Sequence, residues 1–171
     1  PIAEYPEIQF SLKMRLGWEN ASECMVLVEL LNTLRLSRIA LHARTGKQQY
    51  KGHPDLEAFQ GFYELCQHPL YYNGDIESLS DIRQILTRFP LLKGVFIGRG
   101  LLSSPLLAKE FKGNETFLPE QRMSIYFAFH EELFSAYSQV LQGETQLLVK
   151  MKTLWEYFLP ETDRKLLKRI K

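Results

Sequence analysis

The chain has 171 residues, 45% of them hydrophobic and 24% charged, with a net charge of +1. That is enough chain to bury a core, and the composition is that of an ordinary globular protein rather than a disordered or fibrous one. The two cysteines, Cys24 and Cys66, have no metal-ligand spacing, which excludes a disulfide scaffold and fits a reducing compartment. No apolar run approaches the roughly 18 residues that span a bilayer, so no membrane partner is expected. The chain opens on Pro1-Ile2-Ala3-Glu4 without a methionine, which predicts that part of a longer parent precedes it.

In chain order, Ile8 to Leu16 reads as a strand ending in Gly17. Asn20, with Glu23 three residues on, predicts a capped helix carrying Met25, Leu27, Val28, Leu31 and Leu34 on its apolar face. Arg38 to His42 is the next strand, and the polar loop Ala43 to Gly52 separates it from a helix over Asp55 to Cys66. Leu70 to Tyr72 is a third strand, followed by the turn Asn73-Gly74-Asp75 and a helix from Ser78 to about Arg88. Val95 to Ile97 is the fourth, followed by Gly98-Arg99-Gly100 and a short helix begun by Ser104-Pro105.

Four strand–helix pairs in succession predict a parallel α/β sheet. A repeat of about 25 to 30 residues suits half of an eight-unit barrel, with a small doubly wound sheet as the competitor. Beyond Asn114 the pattern turns helical: Pro119 to Leu141 with Ile125, Phe129, Leu133 and Tyr137 in phase, then Glu144 to Phe158, then a basic helix capped by Thr162. The expected organisation is a half barrel over residues 1–113 and an all-α unit over 114–171.

Candidate chemistry sits just after the strands. Alternation puts Lys13 and Arg15 on one side of their strand, where two cations need an anion or polar ligand to offset desolvation, unless the strand is a solvated edge. His42 and Arg44 share a parity and can both donate to carbonyl or phosphate oxygens. Gly74 and Gly98 permit close backbone approach, and Arg99 beside exposed N–H groups suits a phosphate. Each motif has a structural alternative: a strand-end histidine, a common tight turn, a lone Gly-x-Gly.

Taken in order, Ser11-Leu12-Lys13-Met14-Arg15-Leu16-Gly17, His42-Ala43-Arg44-Thr45, Tyr50-x-Gly52, Asn73-Gly74-Asp75-Ile76 and Ile97-Gly98-Arg99-Gly100 resemble the second half of the tRNA-dihydrouridine synthases. The resemblance implies the C-terminal half of a (β/α)8 TIM barrel of four βα units, followed by a small all-α domain. It implies an FMN-dependent oxidoreductase that uses NADPH to reduce uridine in tRNA, in the cytoplasm. Lys13, His42, Asn73, Gly74, Asp75, Gly98 and Arg99 would bind FMN. Arg15 would support Lys13 or face the flavin, and Arg15, Arg44 and Lys47 would lie toward the uridine. Arg164, Lys165 and Lys168, in the basic end, would contact tRNA phosphates; a solvated helix end is the alternative.

In that family the proton-donating cysteine lies upstream of the strand that carries Lys13, whereas Cys24 and Cys66 fall in helices as packing residues. No catalytic residue is therefore expected in this chain, no metal is implied, and the chain alone is expected to be inactive. Its expected partner is the missing N-terminal half of the barrel or a second copy. The alternatives are a non-catalytic RNA-binding or scaffold fragment, and another FMN-dependent barrel oxidoreductase acting on a small molecule.

Overall fold

The computed structural model describes residue 5 and residues 7–158. These residues form an α/β structure with one parallel sheet of four strands and seven helices. The chain divides into two compact units, one holding residues up to Ile76 with Ser80–Ile97, the other holding Glu77–Leu79 with the residues from Gly98 onward. The boundary expected after residue 113 falls inside the second unit.

The first unit contains β1 (Ser11–Gly17), α1 (Glu23–Thr33), β2 (Arg38–Thr45), α2 (Leu56–Leu65), β3 (Leu70–Asn73), the α3 helix (Leu79–Arg88) and β4 (Gly94–Phe96). The strands lie side by side in the order β1-β2-β3-β4, every pair parallel. A doubly wound sheet reverses its strand order at a switch point, and no reversal occurs here. With right-handed crossovers, a monotonic order puts the helices on one side of the sheet. On that side Leu16, Ile39, Leu41, Tyr72, Val28, Phe59, Phe62 and Ile82 are buried. Phe59 anchors the layer, edge-on to both Tyr72 and Phe89 at 5.0 Å.

Several boundaries differ from the sequence reading. β1 starts at Ser11 rather than Ile8, and Ile8 is exposed. β2 runs on to Thr45, so His42 and Arg44 are strand residues rather than strand-end and loop residues. α1 begins at Glu23, three residues after the expected cap at Asn20. The capping logic survives in part, because the Glu23 carboxylate accepts from the amides of Trp18, Glu19 and Asn20. Those bonds, Asn20's first, hold the carboxyl below its ordinary range. Leu27 does not join the core face; it is exposed beside Val26 and Leu30, while Cys24, Val28 and Leu31 are buried. α2 starts at Leu56, close to the expected Asp55, and Asp55 caps it, accepting from the Ala58 amide at 2.9 Å.

The second unit contains α4 (Arg99–Ser103), α5 (Leu107–Gly113), α6 (Pro119–Val140) and α7 (Glu144–Trp155). Two short helices replace the single one expected from Ser104. Leu106, Tyr126, Met151, Leu154 and Phe158 form its core, and Ile125, Phe129, Leu133 and Tyr137 pack against it as their spacing predicted. Glu110, 3% exposed, is ion-paired to Arg122. The basic helix expected from Thr162 lies outside the described residues.

Candidate functional site

Strand register brings the motifs together. β1 pairs Arg15 with His42, and β2 pairs His42 with Asn73. Three motif residues from three strands therefore form one row across the sheet, near the carboxyl ends where parallel α/β folds carry their sites. Lys13 lies two residues back on the same face, opposite Ala40. Alternation puts Lys13, Arg15, His42 and Asn73 on the face away from the helices, whereas Arg44 lies in the stretch between His42 and Thr45 where the register of β2 against β1 shifts by one residue.

Lys13 is exposed, and Arg15 is half-buried. The Arg15 guanidinium donates to the carbonyls of Thr45 (2.7 Å) and Gln49 (3.1 Å) and lies 5.8 Å from the centre of the Tyr50 ring. It thus holds the loop after β2 over the sheet. That loop is ordered from within as well: the Gln48 amide side chain donates to the carbonyls of Lys51 and His53. The backbone ladder continues past the strand ends, from the Gly46 amide to the Gly17 carbonyl and from the Lys47 amide to the Trp18 carbonyl. The Lys47 ammonium is paired with Glu19 at the surface. Nothing in the composition of residues 47–51 signals this order; it appears only once Gln48 is seen to bridge two carbonyls.

His42 is 6% exposed. Burial, and then the charges of Arg15, Lys13 and Arg44, push its pKa down to about 4, against the opposing pull of Asp75. At neutral pH the imidazole is uncharged, with one nitrogen donating and the other accepting. Its ring lies 6.4 Å from Tyr50.

Arg44 is 1% exposed. Its Nη1 donates to Asp75 Oδ1 at 2.7 Å, and Nη2 donates to the Gly52 carbonyl at 2.7 Å and to the second Asp75 oxygen. Nε is buried without a hydrogen-bond partner. The two residues assigned from sequence to opposite tasks, Arg44 to substrate and Asp75 to cofactor, are thus joined to each other. Asn73 donates from Nδ2 to the Phe96 carbonyl at 2.9 Å, tying the turn to β4. Gly74 has φ +150°, and a Cβ there would lie 2.8 Å from the Tyr72 hydroxyl and 3.2 Å from Pro54 Cγ. Asp75 follows at φ 31°. Burial, followed by the charge of Asp75, pushes the Tyr72 phenol up to about 12, so it stays protonated. A cleft of about 450 Å³ borders this turn, lined by His53, Leu56, Tyr72, Gly74, Asp75 and Arg88 among others.

Gly98 and Arg99 belong to the second unit, where Gly98 is the N-cap residue of α4 and Arg99 its first residue. Arg164, Lys165 and Lys168 lie outside the described residues. Cys24 is buried in α1 and Cys66 is the C-cap residue of α2, so both are in the helix layer rather than on the polar face. No helix among the described residues is long and apolar enough to cross a membrane.

The strand ends and the loops after them thus gather three cations, one carboxylate, a neutral imidazole and a carboxamide. That donor set suits a phosphorylated or anionic ligand. Gly74 adds a turn with no room for a side chain, where backbone can approach a ligand closely.

The family model described as Dihydrouridine synthase (Dus) matches residues 3–169. A protein named probable tRNA-dihydrouridine synthase from Aquifex aeolicus is 36% identical over 105 residues, covering 61% of this chain and 33% of its own length. One of the same name from Rhizobium leguminosarum bv. phaseoli is 35% identical over 100 residues, 58% of this chain and 31% of its own. The tRNA-dihydrouridine(16) synthase of Escherichia coli is 28% identical over 110 residues, covering 64% and 35%. The chain spans about a third of the length of these relatives.

Proposed function

The chain belongs to the dihydrouridine synthase family, and from that premise we propose that it forms the flavin-holding part of a cytoplasmic enzyme that reduces uridine to 5,6-dihydrouridine in tRNA. The observation that carries this reading is the row Arg15–His42–Asn73 at the carboxyl ends of three parallel strands, with Lys13 beside it. The monotonic strand order and one-sided helix layer support a half barrel of four βα units followed by an all-α domain.

In this reading FMN is the cofactor and NADPH its reductant, the bound flavin supplying hydride transfer to the pyrimidine. Lys13 stabilises negative charge on the ring. Neutral His42 offers one donor and one acceptor without adding a cation to a site already rich in them. Asn73, Gly74 and Asp75 form the turn that receives the ribityl-phosphate end. Gly98 and Arg99, in the second unit, are proposed as FMN-binding residues on the strength of their motif alone. Arg15 shapes the loop carrying Lys47 and Tyr50, on the side from which a uridine would approach. Arg164, Lys165 and Lys168 would add phosphate contacts to tRNA. The general-acid cysteine is proposed to come from outside these residues, because Cys24 and Cys66 sit in the helix layer. The N-terminal half barrel would supply it, and that half or a second copy would cover the sheet edges.

Titrating FMN into the chain and following flavin fluorescence tests the proposal. Saturable binding weakened about ten-fold or more by Lys13→Ala is expected. Absence of FMN binding even with the N-terminal half added would sink it.

A further inference from the structure

Arg44 is the one buried arginine or lysine among the described residues. Burying a guanidinium costs free energy unless its donors are met. Here two are committed to Asp75 and a third to the Gly52 carbonyl, and Nε goes without. The partners lie on two different loops: Gly52 follows β2, and Asp75 follows β3. Asp75 also sits at φ 31°, immediately after Gly74 at φ +150°. A non-glycine residue at positive φ is an uncommon conformation, held only where its surroundings fix it. Arg44 grips both carboxylate oxygens of that residue, and its planar fork fixes direction as well as distance.

Resting on the flavin reading above, we propose that Arg44 is a positioning residue: it acts through Asp75 to hold the Asn73-Gly74-Asp75 turn, tied to Gly52, in the shape that receives the phosphate of the cofactor. With its side chain 1% exposed and its Nη donors committed, Arg44 shapes the site from beneath instead of touching the substrate. A lysine keeps the charge at this position and cannot span both carboxylate oxygens and the Gly52 carbonyl at once.

The test compares the 171-residue chain with Arg44→Lys, Asp75→Asn and the double variant. Amide hydrogen exchange is read over residues 73–76, and flavin fluorescence gives affinities for FMN and for riboflavin, which lacks the phosphate. Each single variant should speed exchange at 73–76 and weaken FMN about ten-fold, leave riboflavin within about two-fold, and the double should be no worse than the weaker single. Asp75→Asn, at a partly exposed side chain, keeps the test sound if Arg44→Lys fails to fold. Parallel loss of FMN and riboflavin would mean a merely structural role and overturn the proposal. So would unchanged exchange at 73–76, or an Arg44 effect that Asp75→Asn does not reproduce. A parent chain that binds neither flavin even with the N-terminal half added overturns the flavin reading and the phosphate role with it, and the exchange measurement then decides separately whether Arg44 holds the turn.

Discussion

Acidification should destabilise the sheet-bearing unit, in part through a single imidazole. His42 has its pKa pushed down to about 4 by burial and by Arg15, Lys13 and Arg44, whereas in the unfolded chain it titrates near 6.5. As pH falls below about 6.5 the unfolded chain takes up the proton first, so folding stability declines with decreasing pH. The stability is fully present above that value and is lost progressively down to about pH 4, below which the loss is constant. The two titrations give about 2 kcal/mol lost at pH 5 and roughly 3 kcal/mol in full. Urea unfolding at pH 7 and pH 5 reads this as a midpoint lower by about 1 M or more at the acid pH. Carboxylates contribute over the same range, so the control is His42→Gln, which keeps a polar side chain that does not titrate. The parent should lose about 2 kcal/mol more than the variant between the two pH values. Equal losses, or a His42 resonance titrating near 6.5 by NMR, would refute the placement of a neutral imidazole among these cations.

Two further outcomes follow from packing. Gly17→Ala should destabilise the chain by about 1–3 kcal/mol, because the new Cβ would lie 2.2 Å from the Asn20 carbonyl oxygen and 2.7 Å from Glu23 Cβ; an unchanged melting temperature would contradict that crowding. Arg122→Ala leaves the carboxylate of Glu110 buried without its ion-pair partner, at a cost of about 3 kcal/mol. Trp155 fluorescence during thermal unfolding checks it, and an unshifted transition would show that the pair contributes nothing.

Much of the sheet was legible because a strand's pattern is local. Alternation through Ser11–Gly17 put Lys13 and Arg15 on one face, and Asp55 announced the start of α2. The row Arg15–His42–Asn73 was not legible, because register belongs to pairs of segments and no single segment encodes it. The resemblance places Arg44 toward the uridine, and its pairing was not legible: arginines are seldom buried, its partner Asp75 is 31 residues away, and nothing near Arg44 announces the pair. Leu27 was drawn into the core by its neighbour Val28, since several apolar residues in a row blur which face a helix buries. Residues 98–100 read as a loop because glycines flank Arg99, yet α4 starts there as a five-residue helix.

The cross-strand row has a consequence for how this family can vary. Neighbouring strands lie about 4.8 Å apart, so three consecutive positions in one row span about 10 Å of sheet. Inserting or deleting one residue within Arg38–Leu41 would reverse the parity that follows. His42 would turn toward the helices, while Leu41 would face the ligand side. Substitution can therefore tune each position in the row separately, but a change of length in β2 ahead of His42 takes His42 out of the row. Length variation among descendants of this fold should therefore be confined to the stretches beyond the row, such as residues 47–53, and alignments that open a gap inside Arg38–His42 should be suspected of error.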